Sequence, residues 1–304
     1  MRTVFLGTTG FAAAVLERLA ASQHRPVLAV TRPDRPRGRG RRLQSPPVAE
    51  AARELGIELD QPADVNGEEA RTKIAAAQPG AVCICAFGAL IREPLLSEHE
   101  MLNVHPSLLP RWRGAAPVER AIAAGDRETG VAIMRPIAEL DAGPVHRKRP
   151  EPIAPDDDYG SLAPRLAALG GELLVEVLDE PHEPVAQPDE GVTYAAKVER
   201  DERRLDPARP AAELERLVRA LHPHIGTWVE AGEGERLGVR RARVELEGGA
   251  DGAAAGPDAG AGLAAREGRL LLPTADGALE LLEVQPPGGR PMDAAAYLRG
   301  RVRG

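Results

Sequence analysis

The sequence predicts an α/β fold, a mostly parallel sheet domain followed by a small β-barrel domain. Three observations predict it. The chain opens strand, helix, strand, and a β-α-β succession builds parallel sheets. Strands and helices keep alternating as far as a long helix marked by Leu162, Leu166, Leu169, Leu173 and Val177. Beyond it, one amphipathic helix is followed by short strands, the pattern of a small barrel.

The first domain reads as follows. Thr3 to Leu6 is a short apolar strand, and Gly7-Thr-Thr-Gly10 turns it into a helix with apolar positions at Phe11, Val15, Leu16 and Leu19, near the 3.6 period. Val27 to Thr31 is the next strand, which makes the sheet Rossmann-like. Gly7 and Gly10 do not form G-x-G-x-x-G, so a dinucleotide site is disfavoured. Arg32 to Arg42 holds two prolines, two glycines and six arginines against one acid, Asp34, and is expected to be a loop. Pro46 to Leu55 is a helix, Ala81 to Ala86 a buried strand, and Pro117 to Ala124 a helix. Val131 to Ile137 and Val145 to Arg149 are strands flanking a turn at Asp141.

Glu180 to Glu190 loses its periodicity and is rich in Pro and acids, which places a boundary there. The expected division is a first domain over 1–187, a linker over 188–207 and a second domain over 208–304. In the second domain Leu214, Leu217, Val218 and Leu221 mark a helix. Strands are expected over Thr227 to Glu230, Leu237 to Glu247, Leu270 to Pro273 and Ala278 to Val284. Gly248 to Gly262, almost only Gly, Ala, Asp and Pro, reads as a flexible loop without chemistry.

Composition narrows the function. With 43% hydrophobic and 28% charged residues the chain is globular. No apolar run reaches the roughly 18 residues of a membrane span, and the first residues lack the apolar core of a signal peptide. A cytoplasmic protein is expected, without membrane contact. Cys83 and Cys85, two apart in an apolar strand, read as core residues rather than a metal site or disulfide. A net charge of −7 argues against a general nucleic-acid or DNA coat. The local arginine loop instead suits one docked polyanion, because arginine forks match phosphate oxygens.

The chemistry gathers at Met101 to Gly114. Leu102 and Val104 point one way, so Asn103 and His105 share the other strand face. Pro106 ends the strand and holds His105 extended. An amide donor and an imidazole therefore sit where a strand runs out, the edge at which open α/β sheets bind ligands. Asp141 lies in a Gly-containing turn at the end of a later strand. Asn, His and Asp together can stabilise an oxyanion, shuttle a proton and orient the shuttle. None is a strong nucleophile, which favours direct acyl transfer. A lone His or Asp near a turn is commonly structural; the Asn-x-His pair on one strand face shifts the reading to function.

Asn103-x-His105 followed by Ser107-Leu-Leu-Pro-x-x-x-Gly114, with Leu140-Asp-x-Gly143, resembles the signature of folate-dependent formyltransferases. Three further segments resemble the methionyl-tRNA formyltransferase family: Pro33-Asp-Arg-Pro-x-Gly38-Arg-Gly40, Thr193-Tyr-Ala-x-Lys197, and Gln285-Pro-Pro-Gly-Gly-Arg-Pro-Met292 with Leu298-Arg-Gly300. The resemblance implies an OB-like second domain that binds tRNA, and a monomer. It implies that 10-formyltetrahydrofolate donates a formyl group to the α-amine of methionine on initiator tRNA, with no metal. Asn103 and a protonated His105 would donate to the developing oxyanion, and Asp141 would hold His105 or take the amine proton. Phe87, Gly88, Ser107, Leu108, Leu109 and Pro110 are the implied folate contacts. Arg37, Arg39, Arg41, Arg42 and Lys197 are the implied tRNA contacts. The rival readings are a formyltransferase for a sugar nucleotide or other small amine, and a non-catalytic tRNA-binding module.

Overall fold

The computed structural model describes residues 1–37, 42–232, 234–245 and 262–301. Its elements run β1 (Thr3–Gly7), α1 (Gly10–Ala20), β2 (Pro26–Val30), β3 (Arg35–Arg37), β4 (Arg42–Gln44), α2 (Pro47–Glu54), β5 (Glu58–Asp60), α3 (Glu68–Ala76) and β6 (Ala81–Cys85). Then come α4 (Leu95–Glu98), β7 (Met101–His105), β8 (Arg113–Gly114), α5 (Pro117–Ala124), β9 (Glu128–Met134), β10 (Val145–Pro152), α6 (Tyr159–Asp179) and β11 (Tyr194–Ala195). The rest is α7 (Ala211–Leu221), β12 (Thr227–Glu230), β13 (Arg236–Glu245), β14 (Ala264–Arg266), β15 (Arg269–Thr274), β16 (Gly277–Gln285), β17 (Met292–Asp293) and α8 (Ala294–Arg301). Two compact units emerge: one takes Met1–Pro117, Glu128–Pro152 and Ala163–Ala195, the other Val118–Arg127, Ile153–Leu162 and Ala196–Gly304.

The first unit is built on a seven-stranded sheet in the order β10-β9-β7-β6-β1-β2-β5. β5, β2, β1, β6 and β7 are parallel, and β9 pairs antiparallel with both β7 and β10. β1 and β6 are buried along their whole length, so they read as unbroken apolar runs rather than alternating ones. Thr9 caps α1, its side chain accepting the Ala12 N–H at 3.3 Å. From β1 the chain runs outward to β2 and β5 and returns on β1's other side as β6. That reversal makes the carboxyl ends of β1 and β6 a crevice suited to ligands. Thr8 spans it, donating to the Phe87 carbonyl at 2.7 Å.

One sequence expectation needs correction here. The arginine-rich stretch is not wholly loop: β3 and β4 pair antiparallel, with Arg35 opposite Gln44 and Arg37 opposite Arg42. Proline is tolerated in such a two-stranded edge, where its missing N–H breaks no ladder bond, and Pro36 sits there opposite Leu43. The first unit runs to Ala195. β11 pairs in parallel with β8, Tyr194 opposite Arg113 and Ala195 opposite Gly114. Proline-rich chain that lacks periodicity can still be held by isolated backbone bonds: Val185 and Val145 exchange N–H···O bonds of 2.8 and 2.9 Å.

The second unit carries an antiparallel sheet in the order β12-β13-β16-β15-β14, with β17 on β16. α7 buries Leu214, Leu217, Val218 and Leu221, one stripe at helical spacing. In the Gly/Ala insert, 248–261 lie outside the described residues, as do Arg39 and Arg41.

Candidate functional site

β7 carries the Asn-x-His pair between β6 and β9, with Asn103 opposite Ile84 on one side and Met134 on the other. Asn103 is partly exposed and donates from Nδ2 to Met134 Sδ at 3.7 Å, a weak acceptor. His105 is 4% exposed. Its Nε2–H donates to the Trp112 carbonyl at 2.9 Å, and its Nδ1 faces Asp141 Oδ2 at 3.7 Å. The second distance is that of an ion pair rather than a hydrogen bond. Both ring nitrogens thus face oxygen atoms, one at hydrogen-bond distance and one beyond it.

Asp141 is held by backbone. Its Oδ2 accepts the Gly114 N–H at 2.8 Å. Gly114 has φ +124°, and a Cβ there would lie 2.6 Å from the Ala195 oxygen, so no other residue fits between β8 and β11. The same Ala195 oxygen accepts the N–H groups of Ala115 and Ala116 at 2.8 and 3.1 Å. The turn around Asp141 is equally tight: a Cβ on Gly143 would come within 1.9 Å of the Arg135 oxygen. Asp141 itself has φ +49°, in the left-handed region. Gln187 Nε2 donates to the carbonyls of Asp141 and Gly143, each at 2.7 Å.

The six implied folate contacts divide. Phe87 is 5% exposed and packs in the core with Leu6, Ile84 and Leu95, so only its backbone faces the crevice spanned by Thr8. The Gly88 carbonyl accepts from Arg32 at 3.0 Å. Ser107 is fully buried, its hydroxyl donating to the Arg111 carbonyl at 2.6 Å. Leu109 packs with Ala132, Met134 and Val145, and its carbonyl accepts from Lys148 Nζ at 2.9 Å. Leu108 and Pro110 are partly exposed. Ser107 and Leu109 therefore shape the loop after β7 rather than offering side chains to a ligand.

Of the implied tRNA contacts, Arg37 and Arg42 lie in the β3–β4 hairpin, and Lys197 is exposed in the second unit. Sequence reasoning missed a groove of about 280 Å³ in that unit, lined by Arg200, Arg203, Arg236 and Arg240 around Trp228. Arg203 donates to the Ile225 and Gly226 carbonyls, and Arg240 bonds the Gln285 amide oxygen. Arg236 lies 4.2 Å over the Trp228 ring. Among the described residues the acceptors of Arg203 and Arg240 are neutral, which suits an anion. The arginines are scattered over 40 positions of sequence, so no local run announced them. The contacts of Gly114, Gln187 and Lys148 were also missed, because each is distant in sequence. Cys83 and Cys85 are buried and inert, their thiols pushed up by burial, that of Cys83 to about 12. Among the described residues no group of three His, Cys, Asp or Glu could hold a metal ion, and no helix is long and apolar enough to cross a membrane.

A buried imidazole and a carboxylate held at a strand edge, with an amide donor beside them, are equipment for moving an acyl group. The sequence pattern of the family described as formyl transferase matches residues 1–178, and that of its C-terminal domain matches 197–302. The methionyl-tRNA formyltransferase of Halorhodospira halophila is 44% identical over 308 residues, covering 99% of this chain and 96% of its own. The chain belongs to the methionyl-tRNA formyltransferase family. Among solved structures, HypX of Aquifex aeolicus in complex with tetrahydrofolic acid is similar over the whole chain, with a TM-score of 0.67 at 19% identity; this chain spans 48% of that one. Methionyl-tRNA formyltransferase from Clostridium thermocellum has a TM-score of 0.61 at 14% identity, covering 81% of this chain and 95% of its own. At these identities the two structures bear on fold alone.

Proposed function

We propose that this chain transfers the formyl group of 10-formyltetrahydrofolate to the α-amine of methionine on initiator methionyl-tRNA. The observation that carries the reading is the convergence of Asn103, His105 and Asp141 at one strand edge, in a chain matched along its length by methionyl-tRNA formyltransferases. The uncharged amine attacks the formyl carbon and negative charge develops on the formyl oxygen; that charge collapses as the carbon–nitrogen bond to the folate breaks, and the folate nitrogen leaves with a proton. Asn103, held only weakly by Met134, turns its amide to that oxygen; one such donor contributes roughly 10²–10³ in rate. His105 exchanges the Trp112 carbonyl for the same oxygen. Asp141 orients the ring and accepts the proton the amine releases. The crevice between β1 and β6, with the Phe87 and Gly88 backbone, is where the folate is expected to lie. The arginine groove of the second unit and the β3–β4 hairpin supply cationic surface for the tRNA backbone.

The test is formyl transfer to charged initiator methionyl-tRNA, run beside uncharged tRNA and amino-sugar nucleotides. Formylation of the charged tRNA alone supports the reading. Turnover with only a small amine overturns the acceptor, and tRNA binding without folate consumption overturns the enzyme. His105→Ala is expected to lower turnover by about 10²-fold or more; near-normal turnover removes His105 from the mechanism.

A further inference from the structure

We propose that Gln187 is a positioning residue for Asp141, itself set in one orientation by the buried guanidinium of Arg113. The proposal rests on the reading of Asp141 as part of the reacting site.

Arg113 is 7% exposed. It donates to Gln187 Oε1 from Nε at 3.1 Å and from Nη2 at 3.0 Å, while its Nη1 reaches the exposed Glu139 at 3.5 Å. A guanidinium has donors only, and a backbone carbonyl is an acceptor only. The amide between them has one arrangement that satisfies both: oxygen toward Arg113, nitrogen toward the Asp141 and Gly143 carbonyls. Both Nε2 hydrogens are then used, at 2.7 Å each. One rigid amide thus grips the peptide planes that follow Asp141 and Gly143. Asp141 sits in the left-handed region, a conformation that persists where the surroundings over-determine it. Gln187 supplies that constraint from the backbone side, and Gly114 supplies it from the carboxylate side. Together they aim Oδ2 at His105 Nδ1.

The chemistry separates this role from a merely structural one. If Gln187 only satisfied Arg113, Gln187→Glu would serve as well or better, by adding an ion pair. If Gln187 holds the turn, the same substitution sets a carboxylate oxygen against two carbonyl oxygens and pushes the turn away.

The experiment uses the full chain with 10-formyltetrahydrofolate and charged initiator methionyl-tRNA. It compares Gln187→Ala, Gln187→Glu, Asp141→Asn and the double variant Gln187→Ala/Asp141→Asn. Gln187 is partly exposed, so the variants are expected to fold, and thermal melting checks this. A misplaced catalytic group costs on the order of 10–10²-fold in kcat, and Gln187→Ala is expected in that range. Gln187→Glu is expected to be slower still, with KM for both substrates changed less than about two-fold. In the Asp141→Asn background the Gln187 substitution is expected to add nothing, since coupled residues are non-additive. Normal kcat in Gln187→Ala, parental behaviour in Gln187→Glu, or a loss that multiplies in full on Asp141→Asn overturns the proposal. Normal turnover in Asp141→Asn alone overturns the reading beneath it and is recognised separately.

Discussion

Gly114→Ala probes how finely the Asp141 seat is set. A Cβ at this position would lie 2.6 Å from the Ala195 oxygen and 3.1 Å from its carbon, where ordinary contact begins at 3.4 Å. Relief requires β8 and β11 to part by about 0.8 Å. The φ of +124° adds about 1–3 kcal/mol of backbone strain for any residue with a side chain. The same displacement stretches the 2.8 Å bond from the Gly114 N–H to Asp141 Oδ2 beyond hydrogen-bond range. A displacement on the order of 1 Å at a catalytic group costs roughly 10²-fold in rate. Single-turnover formyl transfer is therefore expected to fall by about that factor, with a melting decrease of about 2–4 °C per kcal/mol lost. Gly56→Ala is the control, because Gly56 has φ +65° and nothing within 4 Å of a built Cβ. It isolates the backbone cost and leaves the rate alone. A folded Gly114→Ala variant with parental single-turnover rate refutes the argument that this seat fixes Asp141.

Two further outcomes are expected. Glu280, buried in the second unit, accepts from Arg269 and Arg243, and Arg269 chiefly holds its carboxyl below the usual range. A lowered folded value means stability that is present above the unfolded value of about 4.3 and lost as pH falls through the folded one. Glu280→Gln is expected to lower the melting temperature near neutral pH and to converge with the parent in acid; melts that differ equally across the whole range would count against the ion pairs as the cause. In the arginine groove, Arg236→Ala and Arg240→Ala are expected to weaken tRNA binding and to reduce the salt slope by about 0.7–0.9 log units for each phosphate no longer neutralised. Unchanged affinity and slope in a filter-binding titration would detach the groove from the tRNA.

The sequence made the sheet legible because buried parallel strands are unbroken apolar runs, as in Ala81–Cys85, and the α7 stripe legible because its period is 3.6. The placement of Asn103 and His105 on one strand and of Asp141 in a turn was legible because a strand's alternation and turn residues are local properties. What was not legible acts over distance. Gln187 lies in a Pro- and acid-rich segment whose composition suggests a boundary, yet its amide reaches back 46 residues to Asp141. The hairpin of β3 and β4 is hidden by its prolines, since pairing in a two-stranded edge tolerates residues that a central strand rejects. The groove arginines come from separate strands and turns, and only the folded sheet gathers them.

The pairing of β11 with β8 has a consequence for where this chain can be cut. The two family patterns end at 178 and resume at 197, which invites a division in the gap. Residues 185–195 nonetheless bond Val145, Asp141, Gly143, Trp112 and Gly114's neighbours. A fragment ending at 178 keeps Asn103, His105 and Asp141 but loses the scaffold behind them. Chimaeras and fragments are better joined after Ala195, and on the ribosome the arrangement around Asp141 stays incomplete until that residue has emerged.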